Sequence, residues 1–316
     1  MSASDSAAAW EPSYLALAAS GELAARAKQA HQRLAHCDLC PRMCGVDRLE
    51  GQRGYCGAGA LPRVASWSAH HGEEPPISGH GGSGTIFFSH CTGRCLFCQN
   101  YPISQLGNGQ TVTDDRLAAM MIELQRMGCH NINLVTPTHF VPQIIRAAQR
   151  AAEVGLRIPL VYNTSGYDRV ETLALLDGIV DIYLPDAKYA DDQVAREISS
   201  FEKYVASNRA ALREMRRQVG NSLQVDEGGI AHRGMVVRHL VLPEDLSQTR
   251  AVLTWIAQEL GLETYISLMA QYFPAHRAAE RPPLDRRVSR AEYRDALLAL
   301  DELGLENGWR QQYGPR

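Results

Sequence analysis

Three cysteines lie close together in the stretch HCTGRCLFCQN, residues 90–100. Cys91, Cys95 and Cys98 follow the order C-x-x-x-C-x-x-C, and the aromatic Phe97 precedes the last of them. Three thiolates can hold an iron–sulfur cube by three of its irons and leave the fourth iron free for an outside ligand. A catalytic metal needs such an open coordination position. The spacing therefore indicates a reactive iron–sulfur centre.

A second group of four cysteines lies nearer the N-terminus, in a stretch rich in glycine and poor in periodicity. It comprises Cys37, Cys40, Cys44 and Cys56. Four thiolates form a closed set for structural zinc or a complete set for a second [4Fe–4S] cluster. A set of four reduced core thiols is the third alternative. The close first spacings and the proline after Cys40 favour iron–sulfur, and we predict a small metal-binding module here.

Cysteine usage also bears on the cellular compartment. Residues 1–12 lack the basic start and apolar run of a secretion signal. No apolar stretch approaches the roughly 18 residues of a membrane span. We therefore expect a cytoplasmic protein, in which clustered thiols stay reduced and bind metal. The remaining cysteine, Cys129, lies alone and is predicted to be a buried core thiol.

The composition excludes several classes of protein. Hydrophobic residues make up 45% of the 316 residues and charged residues 21%, which is typical of a globular chain. The formal net charge of −3 gives no electrostatic reason to expect nucleic acid or an anionic membrane as a partner.

Six short apolar runs alternate with helical patterns from residue 84 onward. The runs lack clean period-2 alternation, which indicates a parallel sheet covered by helices. Six such repeats fit an open (β/α)6 barrel or a doubly wound sheet, and both place function at the carboxyl ends of the strands. The predicted strands are 84–90, 132–136, 158–163, 180–185, 234–243 and 264–272, and the predicted helices are 13–36, 113–128, 140–155, 169–178, 191–219 and 246–261.

The same pattern suggests four regions. A helix and the four-cysteine module occupy residues 1–60, and a polar linker rich in Gly, Pro and His occupies 61–83. The α/β core covers 84–276, and a helical extension covers 277–316. The three-cysteine loop follows the first strand of the core, at the end where chemistry is expected.

Cys91, Cys95, Phe97 and Cys98, with the preceding strand and the following repeats, resemble the signature of the radical S-adenosylmethionine (SAM) superfamily. The resemblance implies a partial (β/α)6 TIM-like barrel and a [4Fe–4S] cluster that binds SAM at its open iron. It implies that one electron cleaves SAM to methionine and a 5′-deoxyadenosyl radical, which abstracts hydrogen from a protein, peptide or small-molecule substrate. It also implies a one-electron reductant such as flavodoxin or ferredoxin.

Within the superfamily, residues 37–276 are similar to the pyruvate formate-lyase activating-enzyme-like group, and in particular to homologues with an N-terminal C-x-L-C-P-R-x-C-G segment. Activation of a glycyl radical enzyme is one reaction this implies, and modification of another molecule is the other. A non-enzymatic iron–sulfur electron carrier or metal-scaffolded binding protein is the alternative outside enzymes.

The resemblance also implies residues that contact SAM at the strand ends. The family's Gly-Gly-Glu stretch is replaced here by Thr136–His139, its Asp-Thr-Asn-Gly by residues 163–166, and its Asp-x-Lys appears as Asp186 and Lys188. Alone, an Asp/Lys pair is more often a surface ion pair. The implied SAM contacts are Phe97, Asn100, Thr136, Thr138, His139, Asn163, Thr164, Asp186, Lys188 and Arg238. Tyr272 and His276 follow the last strand, and we expect them to face the substrate.

Overall fold

The structure is a computed structural model that describes residues 10–314. The expectation of no secretion signal concerns mainly residues 1–9, which lie outside the described residues. Within residues 10–314, no helix is long and apolar enough to cross a membrane. The strands are β1 (Arg63–His70), β2 (Ser83–Phe88), β3 (Gln110–Thr111), β4 (Ile132–Val135), β5 (Leu160–Thr164), β6 (Ile182–Pro185), β7 (Gln224–Val225), β8 (Ala231–Leu240), β9 (Tyr265–Met269) and β10 (Gly308–Arg310).

Helices alternate with these strands through the core. They are α1 (Tyr14–Ser20), α2 (Glu22–Gln32), α3 (Pro75–Ser78), α4 (Tyr101–Ser104), α5 (Asp114–Arg126), α6 (Val141–Glu153), α7 (Val170–Leu173), α8 (Asp192–Ser199), α9 (Tyr204–Val219), α10 (Thr249–Glu259) and α11 (Arg290–Glu302). Short 3-10 turns cover Thr138–Phe140, Ala174–Leu176, Pro243–Asp245 and His276–Glu280.

Six parallel strands lie side by side in chain order: β2, β4, β5, β6, β8 and β9. A doubly wound sheet reverses its strand order at one point, so this sequential order favours the barrel alternative. Strand β10 adds a parallel strand beside β9, and antiparallel β1 and β3 extend the sheet beyond β2. The predicted α/β fold with a parallel sheet is confirmed, and its strand order is that of an open, partial barrel.

Residues 61–83 are more than the linker expected from the sequence. They contain β1, which pairs with β2, and the short helix α3. Ile77 of α3 is fully buried against Val161, Ile182 and Val236 of three parallel strands. Asn131 donates a side-chain hydrogen bond to the Ile77 carbonyl at 2.8 Å. This segment therefore fills the interior of the sheet, and we call it the plug. Its Gly/Pro/His-rich composition gave no indication of this packing.

Other differences arise where the backbone turns left-handed. The N-terminal helix breaks at Gly21, whose φ is 79°. The long helix predicted over 191–219 divides because Ser200 and Lys203 have φ values of 56° and 51°, which allows Phe201 between them to be fully buried. The helical extension expected at 277–316 contains α11, and it also contains β10, which was not anticipated.

Candidate functional site

A cleft of about 320 Å³ lies at the carboxyl ends of the parallel strands. The three cysteines of the first motif line one side of it, and polar residues that follow β4, β5 and β6 line the other. Among the predicted SAM contacts, those that border the cleft are Phe97, Asn100, Thr136, Asn163, Thr164, Asp186, Lys188 and Arg238. The structure thus brings most of the predicted set together.

The three-cysteine loop contains two thiols, Cys91 and Cys95, whose pKa values are raised by burial. Burial raises the pKa of Cys91 to about 12, and the nearby Cys95 thiol adds to that shift. The Cys91 sulfur accepts a hydrogen bond from the Gly93 amide at 3.4 Å, and the Cys98 sulfur lies 3.1 Å from Ser104 Oγ. A bound cation reverses such a penalty because it favours the thiolate form. The loop therefore fits a metal cluster that takes three thiolates.

Thr136 directly follows β4 in a conformation that glycine usually supplies. Its φ is 60°, and a β-branched residue with positive φ is a genuine outlier. Such strain costs on the order of 1–3 kcal/mol and concentrates at functional sites. The Thr136 amide donates to the Asn163 carbonyl at 2.9 Å, which ties the ends of β4 and β5 together. The backbone shape expected of the family's glycines is therefore present without them.

Asp186 and Lys188 form an ion pair at the end of β6, with 2.5 Å between Oδ2 and Nζ. Burial acts to lower the pKa of Lys188, but Asp186 and the Cys95 thiol outweigh it, and the pKa is raised. Helix α9 fixes the backbone here, because Asn208 donates to the Asp186 carbonyl at 2.8 Å and the Lys188 amide donates to the Tyr204 hydroxyl at 3.0 Å. A charged lysine thus lies beside the cysteine loop.

Arg238 of β8 is held by two carboxylates that we did not predict. Its guanidinium donates to both oxygens of Glu74, at 2.8 and 2.5 Å, and also pairs with Glu73. Burial opposes the charge on Arg238, but Glu74 and Glu73 outweigh it and raise its pKa. Asn133 donates to Glu73 at 3.0 Å. Glu73 borders the cleft. Two acids from residues 61–83 and one arginine from β8 therefore leave one formal negative charge at the floor of the cleft.

The sequence did contain a signal for the two acidic residues. Glu73 and Glu74 are the acidic residues of an otherwise acid-free segment, 61–83, and they stand directly before two prolines. Their partner lies more than 160 positions away along the chain, at Arg238. Only the folded barrel brings the three side chains together.

Comparison with known proteins relates the residues of this site to a protein family. The radical SAM superfamily model matches residues 85–223, which contain the three cysteines and the ends of β4, β5 and β6. This part of the chain is therefore similar to the radical SAM superfamily. The family implies a [4Fe–4S] cluster and SAM as cofactors, and it generally needs an electron donor such as flavodoxin or ferredoxin.

One curated relative is an uncharacterized protein of Methanocaldococcus jannaschii, 28% identical over 283 residues, which cover 86% of this chain and 76% of the relative. Among solved structures, HydG, a maturase of the [FeFe]-hydrogenase, gives a TM-score of 0.48 at 11% identity over 70% of this chain. A radical SAM methyltransferase from Sphaerobacter thermophilus gives 0.47 at 14% over 71%, and methylornithine synthase (PylB) gives 0.42 at 14% over 68%. These matches span 50%, 65% and 59% of the three solved chains, respectively.

Behind the cleft, a buried carboxyl accepts hydrogen bonds from two of the predicted threonines. Asp168 accepts hydrogen bonds from Thr138 at 2.7 Å, from Thr164 at 2.6 Å and from Tyr162 at 2.9 Å. Burial raises the pKa of Asp168, and these three donors act against that rise. Thr164 borders the cleft, whereas Thr138 lies behind it. We therefore correct the expected role of Thr138 from SAM contact to support of Thr164.

Three further predicted residues lie outside the walls of the cleft. Tyr272 is buried, donates to the Leu284 carbonyl at 2.6 Å and meets Phe97 edge-on, so it supports Phe97 and does not line the cleft. His276 stacks on Tyr101 with 4.4 Å between ring centroids. His139 is buried and hydrogen bonded to the Ser89 carbonyl at 2.9 Å. Its side chain faces the second cysteine group in place of SAM.

The second cysteine group surrounds a small, enclosed cavity of its own. Cys37, Cys40, Cys44 and Cys56 all line it, and burial raises the pKa values of Cys40 and Cys56. In the described part of the chain, no group of three or more His, Cys, Asp or Glu side chains is arranged to hold a single metal ion.

A buried arginine lies beside this cavity. Arg48 is 1% exposed and donates to the carbonyls of Gly59 at 3.0 Å and His139 at 2.7 Å. Its Nη1 lies 3.9 Å from the Cys37 sulfur. Across residues 10–314, no carboxylate lies within ion-pair distance of this guanidinium. A buried cation normally requires a partner, and the cysteines are the groups here that can supply negative charge.

Proposed function

We propose that this protein is an enzyme in which Cys91, Cys95 and Cys98 hold a [4Fe–4S] cluster and the cleft beside them holds SAM. The observation that carries the proposal is that the three thiols and the polar ends of β4, β5 and β6 line one cleft. When bound, the cluster supplies one electron to SAM, and the resulting 5′-deoxyadenosyl radical abstracts hydrogen from the substrate.

The chain's own residues provide binding, orientation and shielding in this proposal. The strained turn at Thr136 directs backbone into the cleft, and Asn163 and Thr164 add polar groups beside it. Lys188 keeps its proton and supplies positive charge for the SAM carboxylate, with Asp186 fixing its position. Phe97, supported by Tyr272, covers the cysteine loop and limits access of water. Such fixed placement is the protein's main contribution when a cofactor performs the difficult step.

Replacing Asp186 with alanine is expected to weaken SAM binding roughly tenfold or more, because Lys188 loses its charged, hydrogen-bonded partner. The iron content should stay at the native level. SAM affinity is measured from the change in the electron paramagnetic resonance (EPR) signal of the reduced cluster, and iron by metal analysis. Asp177→Ala is the control, since Asp177 forms an exposed pair with Arg217 away from the cleft. Unchanged SAM affinity in Asp186→Ala would mean that Asp186 and Lys188 form an ordinary ion pair without a role in SAM binding.

We propose further that Cys37, Cys40, Cys44 and Cys56 hold a second metal centre, with a [4Fe–4S] cluster favoured over zinc. Their shared cavity and the unpaired charge of Arg48 support this. Energetics support it as well, because ordering each residue costs about 1–2 kcal/mol. The module has few large apolar side chains, mainly Leu34, Leu39 and Val46. A metal held by four thiolates contributes roughly 10–16 kcal/mol by analogy with zinc-finger peptides.

Metal analysis of the variant in which Cys91, Cys95 and Cys98 are all alanine is expected to find this second centre alone. Four irons with sulfide would identify a cluster, and one zinc would identify a structural site. A variant that lacks the four N-terminal cysteines serves as the reciprocal control and should retain the cluster of the first site. Absence of any metal, with residues 37–56 still resistant to protease, would contradict the second centre.

For the substrate, the similarity of the CDLCPRMCG segment to activating-enzyme-like homologues favours activation of a glycyl radical enzyme as one candidate reaction. Modification of another protein, peptide or small molecule is the other candidate. Flavodoxin or ferredoxin is the proposed reductant, and we place the reaction in the cytoplasm on the strength of the cysteine usage. A simple electron carrier would show no change in its EPR signal when SAM is added, which separates that alternative from an enzyme.

A further inference from the structure

An arginine of the four-cysteine module reaches into the radical SAM loop. Arg42 stands between Cys40 and Cys44 in the sequence. Its Nε donates to the carbonyl of Thr92 at 2.9 Å, and its Nη2 bonds to the carbonyl of Ser200. Thr92 directly follows the first cysteine of the radical SAM motif. The Arg42 side chain therefore links the four-cysteine module to the backbone of the three-cysteine loop.

A second arginine links the same two parts of the molecule in the opposite direction, from the three-cysteine loop to the four-cysteine module. Arg94 directly precedes Cys95, and its Nη2 donates to the carbonyl of Tyr55 at 2.9 Å, next to Cys56. The ring of Tyr55 lies 3.4 Å from the Arg42 guanidinium carbon and 5.1 Å from that of Arg94. The two loops are thus held by reciprocal hydrogen bonds around one aromatic ring. We call Arg42, Tyr55 and Arg94 the arginine clamp.

Among residues 10–314, no carboxylate lies within ion-pair distance of the two positive charges of the clamp. In the part of the chain that the structure describes, neither Arg42 nor Arg94 forms an ion pair, although many other arginines do. Each donates instead to backbone carbonyls next to a cysteine. Charge placed this close to an iron–sulfur site acts on its reduction potential, which depends on net charge and hydrogen bonding.

We propose that Arg42 and Arg94 are positioning residues that fix the two cysteine sites against each other and raise the reduction potential of the cluster at Cys91, Cys95 and Cys98. This inference rests on the proposed function of that site. Reduction adds one negative charge to a cluster, so nearby positive charge favours the reduced form. Four thiolates around a metal in the second site carry negative charge and act in the opposite direction.

The test measures the reduction potential of the three-cysteine cluster by EPR at a series of fixed potentials. Arg94→Gln and Arg42→Gln are expected to shift it to more negative values, while Arg94→Lys, which keeps the charge, shifts it less. Loss of packing alone has no reason to depend on whether the side chain at position 94 keeps its charge.

Arg294→Gln is the matched control, because Arg294 is an exposed arginine of α11 remote from both cysteine groups. A potential unchanged in both Arg94→Gln and Arg42→Gln, or changed equally by Arg294→Gln, would overturn the inference and leave the proposed function intact. Metal analysis separates failure of this inference from failure of the proposed function. Native protein without iron at the three cysteines would overturn both the inference and the proposed function. If Arg94→Gln does not fold, the comparison of Arg42→Gln with Arg42→Lys decides the matter.

Discussion

Replacing Cys95 with alanine is expected to abolish the formation of 5′-deoxyadenosine from SAM. The two remaining thiolates, Cys91 and Cys98, are too few to hold a cube by three corners and leave one iron open. The fold should persist, because Cys95 is partly buried at the edge of an apolar cluster and lies outside the main core. The product is measured by chromatography, and the fold by circular dichroism.

Cys129→Ala is the matched control for this change. Cys129 is a buried thiol in the main core, and burial raises its pKa, yet it lies outside both cysteine groups. We expect native iron content and native SAM cleavage in this variant. A Cys95→Ala protein that makes deoxyadenosine at the native rate would remove Cys95 from the cluster.

The second large effect is expected at the floor of the cleft. Arg238→Met should destabilise the protein by about 3–5 kcal/mol, because it leaves the buried Glu74 and the partly buried Glu73 without a cation. The Glu73 and Glu74 side chains are 10% and 6% exposed, so water replaces little of the lost partner at Glu74. Denaturant unfolding measures the change. Adding Glu73→Gln and Glu74→Gln to Arg238→Met should recover much of the loss, and failure to recover any would contradict this explanation.

The pH dependence of this variant has a defined sign. In the native protein the pKa of Glu74 is lowered, since Arg238 outweighs the effect of burial. Glu74 therefore adds stability above its unfolded pKa, and this is lost as the pH falls through the lowered value. Without Arg238, the burial of Glu74 acts to raise the pKa of that carboxyl, and its protonation relieves the penalty. The deficit of Arg238→Met relative to native protein should thus shrink on acidification, and a deficit that grows would contradict the ion-pair account.

The repeating parts of the fold could be predicted from the sequence because they follow local patterns. Each parallel strand is a short apolar run, and the polar residues directly after it must lie at one edge of the sheet. This is why Asn163, Asp186 and Lys188 were found together with the cysteines. Spacing alone was enough to predict that the three cysteines lie together, since they belong to one loop.

The remaining features depend on contacts that local patterns do not encode. Glu73 reaches the cleft because α3 plugs the sheet, and Arg238 pairs with it across the interior. Tyr272 follows the last strand as expected, but its side chain turns behind Phe97. His139 likewise follows β4 and turns toward the second cysteine group. Position after a strand fixes the edge of the sheet, whereas the direction of a side chain depends on what packs there.

Cleavage of SAM tests the central claim most directly, and it needs no knowledge of the substrate. Native protein is reconstituted anaerobically with iron and sulfide, reduced with dithionite and incubated with SAM. We predict 5′-deoxyadenosine and methionine in equal amounts, with Cys129→Ala at the native level and Cys95→Ala at the level of a sample without protein. Native protein with its full complement of iron that forms no deoxyadenosine above that background would contradict the account.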